Sequence, residues 1–309
     1  MATAYFTHPL FRHHEMGPHH PECPARLQAI ERQLLASGLH RQLQHHVAPQ
    51  ASDEAILRVH EAAYLQQLKE AAPTEGYRQL DPDTSMNPYT LQAVYHGAGA
   101  AVAATDLVLG GVADNAFCAV RPPGHHAEPG RAMGFCLFNN IAVAAAHALE
   151  VHALQRVAIV DFDVHHGNGT EAMFAGDERI LFCSSFQHPF YPGTRLNDAP
   201  ANIRHAPLRA GDGGREFRAI YHEQLLPALE AFSPQLLLIS AGFDGHSEDR
   251  MSGLELGDDD YRWLSERLVR LAARHAGGRI VSLLEGGYAL NALGRCTSEH
   301  IGILLEAAA

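Results

Sequence analysis

The sequence predicts one α/β domain: a central, mainly parallel sheet flanked by helices. Three observations carry that prediction. Short apolar runs alternate with longer amphipathic segments along the 309 residues, the pattern of β-α-β crossovers. Four of those runs lead straight into polar, glycine-containing clusters, as at the carboxyl edge of an open α/β sheet, where sites gather. No repeat, low-complexity tract or linker-like charge run divides the chain, so residues 1–309 read as a single domain.

In chain order, the first helix is expected over Pro24–Ser37, where Leu27, Ile30 and Leu34 share a face and Pro24 suits a first turn. A second helix is expected over Thr90–Leu109, then a strand over Ala116–Val120 and a helix over Asn140–Leu149. The strand at Val157–Phe162 opens on the run Val157-Ala158-Ile159-Val160, which reads as a strand buried on both faces. A strand at Ile180–Ser184 follows, then a helix at Glu216–Ala231, a strand at Leu236–Ala241, a helix at Asp259–His275 and a strand at Arg279–Leu284. Arg121–Phe138 and roughly Ser185–Gly214 lack periodicity, and loops of that length in a compact domain are often functional.

Composition narrows the function. A hydrophobic content of 46% with 19% charged residues is globular and can bury a core. Lys+Arg total 23 against 35 Asp+Glu, a net charge of −12 that argues against nucleic-acid or anionic-membrane binding. The acidic balance reads first as an aid to solubility, and it tolerates cationic substrates. The five cysteines are scattered with no CxxC pair, which fits a reducing compartment. With no signal-peptide core in residues 1–15 and no apolar run near membrane-spanning length, a cytoplasmic location is expected.

The most informative segment is Asp161-Phe162-Asp163-Val164-His165-His166-Gly167-Asn168-Gly169. Alternate residues of a strand share a face, so Asp163 and His165 should emerge together where the strand becomes a loop. Carboxylate and neutral imidazole both ligate zinc or a similar divalent ion. A catalytic ion wants about three protein ligands and an open position, and Asp244, after the Leu236–Ala241 strand, is the natural third. Such an ion would be strongly Lewis-acidic, suited to amide hydrolysis. That reaction also needs a base, an acid and an oxyanion donor. His125 and His126, after the Ala116–Val120 strand, suit the proton transfers, and Tyr288, freed by Gly286-Gly287, could serve the oxyanion. Each feature alone has a plainer reading. The pairs His13-His14 and His19-His20 sit in a polar N-terminal loop, a lone Asp caps turns, and Gly-Gly-Tyr usually packs a ring. Their joint occurrence makes the case.

Together these segments resemble the zinc-dependent histone deacetylase superfamily, in its bacterial class II-like and acetylpolyamine amidohydrolase branch. The matching stretches are His20–Leu27, Leu80–Thr84, Arg121–Ala127, Gly134–Cys136, Asp161–Thr170, Ser240–Asp244 and Glu285–Tyr288, in family order. The resemblance implies an arginase/deacetylase-type fold around an eight-stranded sheet. It implies Asp163, His165 and Asp244 as ligands of one Zn2+ ion, and His126 as principal base and acid. It gives His125 a mainly electrostatic role and makes Tyr288 the residue that polarises the scissile carbonyl. Asp161 and Asn168 match the partners of the two histidines, and the neutral Asn168 should leave His126 less basic than an aspartate would.

The resemblance further implies a structural K+ held by Asp161, Asp163, His165, Ser184 and Ser185. It implies a narrow tunnel lined by Gly134, Phe135, Tyr191, Gly286 and Gly287, with Gly134 offering its carbonyl to the substrate amide. Glu22, Asp81 and Asp83 are expected at an acidic rim. The implied substrate is an acylated amine, an acetyl-lysine peptide or an acetylpolyamine, and an oligomer is compatible with the sequence. The run from Asp83 to His125 is too compact for the long insertion of the polyamine-specific enzymes, which lowers a strict polyamine preference. An arginase-like dinuclear manganese hydrolase and a catalytically silent acyl-lysine binding module are the alternatives. The first is weakened because Asp244 is followed by Gly245-His246, with no Asp to bridge a second ion.

Overall fold

The structure, a computed structural model, describes residues 2–196 and 199–308. Its strands are β1 (Thr3–Thr7), β2 (Gln44–Val47), β3 (Arg78–Gln79), β4 (Ser85–Met86), β5 (Asn115–Cys118), β6 (Val157–Asp161), β7 (Ile180–Gln187), β8 (Ile203–Leu208), β9 (Leu236–Ala241) and β10 (Ile280–Leu284). Apart from the small β3–β4 hairpin, they form one eight-stranded sheet in the order β2-β1-β5-β10-β9-β6-β7-β8, parallel throughout. Every residue of β5, β6, β9 and β10 is buried, which is why these strands read as unbroken apolar runs.

Helices cover both faces. On one, α4 (Thr90–Leu109) packs on α5 (Asn140–Glu150); on the other, α1 (Ala25–Ala36), α9 (Asp258–His275) and α10 (Leu290–Ala308) pack together. The shorter helices are α2 (Asp53–Leu57), α3 (Ala62–Ala71), α6 (Asn168–Phe174), α7 (Gly214–Ile220) and α8 (Leu226–Phe232). Among the described residues, no helix is long and apolar enough to cross a membrane.

Several expectations shift. The strand expected at Ala116–Val120 is β5, displaced toward the N-terminus and anchored by Asn115 Nδ2, which donates to the Leu304 carbonyl at 2.8 Å. The helix expected over Glu216–Ala231 is α7 and α8 joined by a wide turn at Tyr221–Leu225. Pro227 has no amide to donate and its ring crowds the preceding turn, which widens so that the Leu226 N–H reaches the Tyr221 carbonyl. The edge strands β2 and β8 lack the apolar signal because one side of each meets no neighbouring strand; β8 lies inside a stretch that reads as aperiodic. Helix α10 escapes the periodicity reading because Thr297, Ser298 and His300 are buried alongside Leu293, Ile301 and Leu304. Its Gly294 crosses α1 so closely that a Cβ there would meet the Ala29 carbonyl.

Register positions the site. Asp161 pairs with Ser184 of β7 and Ser240 of β9, and Leu284 pairs with Ala241. The strands β6, β9 and β10 therefore end level, and the loops that follow them emerge side by side.

Candidate active site

Asp163 and His165 leave the end of β6, and Asp244 leaves the end of β9. The backbone N–H of Val164 donates to Asp244 Oδ1 at 2.9 Å, and that of Gly286 donates to Asp163 Oδ2 at 2.8 Å, lacing the three loops together. His165 Nδ1 then lies 3.1 Å from Asp163 Oδ1 and 3.2 Å from Asp244 Oδ2. Among the described residues, the buried Asp244 Oδ2 makes no well-formed hydrogen bond. Burial and the neighbouring Asp163 push the Asp244 carboxyl up to about 6. Among the described residues, neither carboxylate pairs with an arginine or lysine. A Cβ at Gly242 would strike Asp163, and one at Gly286 would strike both carboxylates, so only glycine keeps this cradle open. Two oxygens and one imidazole nitrogen converging in a buried, cation-poor cradle fit a divalent ion such as zinc.

The tandem histidines come from the loop after β5 and face the same cluster. Their rings are 4.0 Å apart, and His126 lies 5.9 Å from His165. His125 Nδ1 bonds Asp161 Oδ2 at 2.9 Å. Burial disfavours a charged His125, but the carboxylates of Asp161, Asp163 and Glu285 outweigh it and lift its pKa to about 10. His126 Nδ1 bonds Asn168 Oδ1 at 2.8 Å, while the Asn168 amide donates to Glu128 Oε1 at 2.8 Å. That second bond fixes the amide orientation, so His126 carries its proton on Nδ1 and presents a free Nε2. Burial, and then repulsion from His125 and His165, hold His126 well below the ordinary histidine value.

A cavity of about 220 Å³ runs to this cluster, lined by His125, His126, His165, Gly134, Phe135 and Tyr191 among others. Tyr191 stands 5.2 Å from the His126 ring, and Phe135 stands edge-on to Tyr288 at 5.9 Å. Gly134 has φ +57°, and a Cβ there would enter the His126 ring. Its carbonyl accepts the Cys136 thiol at 3.3 Å. Phe135 also lies in the left-handed region, at φ 69°, a costly conformation for a bulky residue. It is held by its N–H donating to Thr84 Oγ1 at 2.9 Å. Of the expected potassium residues, Asp161 ends β6 and pairs with Ser184 inside β7, with Ser185 next in the same strand; Ser185 Oγ contacts the Tyr221 hydroxyl at 2.9 Å and Ser184 Oγ contacts His166 Nδ1 at 2.9 Å.

Of the expected rim, Asp83 lines the cavity, and Asp81 holds the adjoining turn through the N–H groups of Asp83 and Thr84. Glu22 is a correction: its side chain is fully buried and cannot face a substrate. It is clasped by Arg121 at 2.5 and 2.6 Å and by Arg26 at 3.1 Å. Two flanking guanidiniums draw the carboxylate inside, which an acidic residue in a polar stretch does not reveal. His14, read as part of a polar loop, is likewise buried, bonding Thr90 Oγ1 at 2.8 Å.

Four contributors carry no role in the sequence reading. Phe190 stacks on His165 at 5.4 Å, and Met251 adds an apolar wall to the cavity. Asp249 Oδ2 accepts the N–H groups of Tyr288 and Ala289 at 2.6 and 2.8 Å. Glu285 Oε2 accepts those of Gly124 and His125 at 2.7 and 3.1 Å, tying the histidine loop to β10. Only Glu285 had a signal, its place in the Glu-Gly-Gly-Tyr run.

As a sequence family, the histone deacetylase domain matches residues 20–304. The chain belongs to the histone deacetylase family. It is 39% identical over 310 residues to a histone deacetylase-like amidohydrolase of Pseudomonas aeruginosa, covering 93% of this chain and 81% of that one. It is 34% identical over 307 residues to the polyamine deacetylase HDAC10 of Homo sapiens, covering 92% of this chain and 45% of the human protein. The crystal structure of the HDA15 HD domain superposes with a TM-score of 0.93 at 31% identity, covering 99% of this chain and 90% of that one. Membership over nearly the whole length makes this histone deacetylase family chain a hydrolase acting on amides.

Proposed function

We propose that this histone deacetylase family member is a zinc-dependent deacylase that removes acetyl or a related acyl group from an acyl-lysine or acylpolyamine. One observation carries the reading: Asp163, His165 and Asp244 converge, beside two differently tuned histidines, at a narrow cavity walled by aromatic rings. Bound by those three residues, zinc would supply Lewis acidity for water activation and carbonyl polarisation.

The chain's own residues divide the remaining work. Phe135, Phe190, Tyr191 and Met251 enclose a slender apolar stem and exclude bulk water. His126 Nε2 takes the proton of the attacking water and returns it to the leaving amine, with its tautomer set by Asn168. His125, charged against Asp161, adds positive potential without exchanging a proton in each cycle. The Tyr288 hydroxyl donates to the developing oxyanion. Potassium, on this reading, would sit behind the site among Asp161, Asp163, His165, Ser184 and Ser185. Against the dinuclear alternative, His246 turns to Asp258 at 2.8 Å, away from Asp244.

The test is kcat/KM for the zinc-loaded enzyme on acetyl-lysine peptides beside N-acetylated putrescine, cadaverine and spermidine. A tenfold preference, about 1.4 kcal/mol of transition-state discrimination, assigns the substrate class. Zinc-loaded protein inactive on all of them would overturn acetyl as the group removed.

A further inference from the structure

Beyond the site above, three groups of side chains among the described residues have metal-ligand spacing. Two of them already hold a competing cation. Arg295 occupies both carboxylate oxygens of Asp258 beside His246 and Cys296, and Arg58 lies 3.1 Å from His147 Nδ1 beside Asp106 and His152. The third, His166, Glu171 and His205, has no arginine or lysine among the described residues paired with its carboxylate.

His166 follows the candidate ligand His165 but reaches toward the outer strands. Its Nδ1 contacts Ser184 Oγ of β7 at 2.9 Å, and its Nε2 lies 2.8 Å from Glu171 Oε2. His205 on the edge strand β8 brings its own Nε2 to 2.5 Å from the same oxygen. The rings stand nearly perpendicular, at 87°, with centroids 4.9 Å apart, so both nitrogens point at one spot from different directions. Among the described residues, the buried His205 Nδ1 has no hydrogen-bond partner and Glu171 is this ring's one polar anchor. His166 and Glu171 also border a cavity of about 390 Å³, which leaves room for water. Two imidazoles and one carboxylate with an open aqueous side are a donor set for zinc, cobalt or nickel ions. The serine contact orients His166 as outer partners orient ligand histidines.

We propose that His166, Glu171 and His205 form a second divalent-cation site that clamps α6 to β8. Because α6 begins at Asn168, the ion would brace the helix that holds His126. The site does not depend on the deacylase reading.

The test is a metal count on the full chain, stripped by chelator, equilibrated with a small excess of zinc and gel-filtered. Wild type should retain two ions, His205→Asn one and Asp244→Asn one, with His205→Asn keeping most of its deacetylase activity. Glu171→Gln provides a second variant should His205→Asn fold poorly, and zinc should raise the melting temperature of wild type more than that of either. A metal count that folded His205→Asn or Glu171→Gln leaves at the wild-type value would overturn the proposal, whatever that value is. Failure of the catalytic reading gives a different pattern, in which Asp244→Asn leaves the count unchanged.

Discussion

Glu22→Gln should be among the most damaging near-isosteric substitutions in this protein. The wild-type carboxylate bonds Arg121 Nε at 2.5 Å and Nη2 at 2.6 Å, Arg26 Nη1 at 3.1 Å, and lies 3.3 Å from His14 Nε2, all without solvent. Burial opposes its charge, but Arg121, then His14 and Arg26, overwhelm that and hold the carboxyl well below the usual glutamate range. Glutamine keeps the shape, removes the charge and turns an amide donor toward one guanidinium, leaving two buried cations uncompensated. Breaking a buried ion pair from one side costs about 3–5 kcal/mol, a fall in melting temperature of roughly 6–20 °C for a domain of this scale. Damage should also reach the site. Arg26 donates from Nε to the Gly287 carbonyl at 2.7 Å and from Nη2 to the Glu285 carbonyl, and its guanidinium lies 4.9 Å over the Tyr288 ring. Thermal unfolding at pH 7 and initial rates below the transition are the assays. A folded carboxyl depressed below its unfolded value stabilises above the unfolded pKa, and that contribution fades as pH falls through the folded pKa. The gap between wild type and variant should therefore narrow in acid. A variant melting within about 2 °C of wild type at pH 7, with kcat intact, would refute the reasoning.

Tyr288→Phe removes one oxyanion donor, so kcat should fall about 10²–10³-fold while a competitive inhibitor binds within a few-fold of its wild-type affinity; equal loss of both would remove the role given to the hydroxyl. Asn168→Asp puts a carboxylate against His126 Nδ1–H, which favours the imidazolium and raises its pKa, so the acid limb of kcat/KM should move to higher pH. An unmoved limb would show that His126 is not the base. His300 lies buried between Ser265 Oγ at 2.7 Å and Ser282 Oγ at 2.9 Å. Burial lowers its pKa from 6.5 to about 4, so the unfolded chain takes up its proton first as pH falls. Its stabilisation is complete above 6.5 and should fade by about 2–3 kcal/mol between pH 7 and 4.5, a slope that His300→Gln should lack in denaturant melts.

By itself the sequence determined the parts of this protein whose reasons are local. The central strands β5, β6, β9 and β10 are legible because burial on both faces demands uninterrupted apolar residues, and β6 runs directly into the Asp/His segment that it delivers. The fold class and the candidate cluster follow from those runs and from the clusters placed after them. Tertiary structure decided what depends on distant partners. Glu22 reads as a rim acid until Arg121, 99 positions away, closes over it, and the site loops join through a Gly286–Asp163 bond spanning 123 positions. Met251 and Asp249 carry no local pattern, yet one walls the cavity and the other pins the Tyr288 backbone. The edge strand β8 is too polar to announce itself, and its pairing with β7 brings His205 to Glu171. Local sequence can encode burial and turn chemistry because both act within a few residues. Whether a charged side chain faces water or a buried counter-charge is set by contacts that exist only once the sheet has assembled.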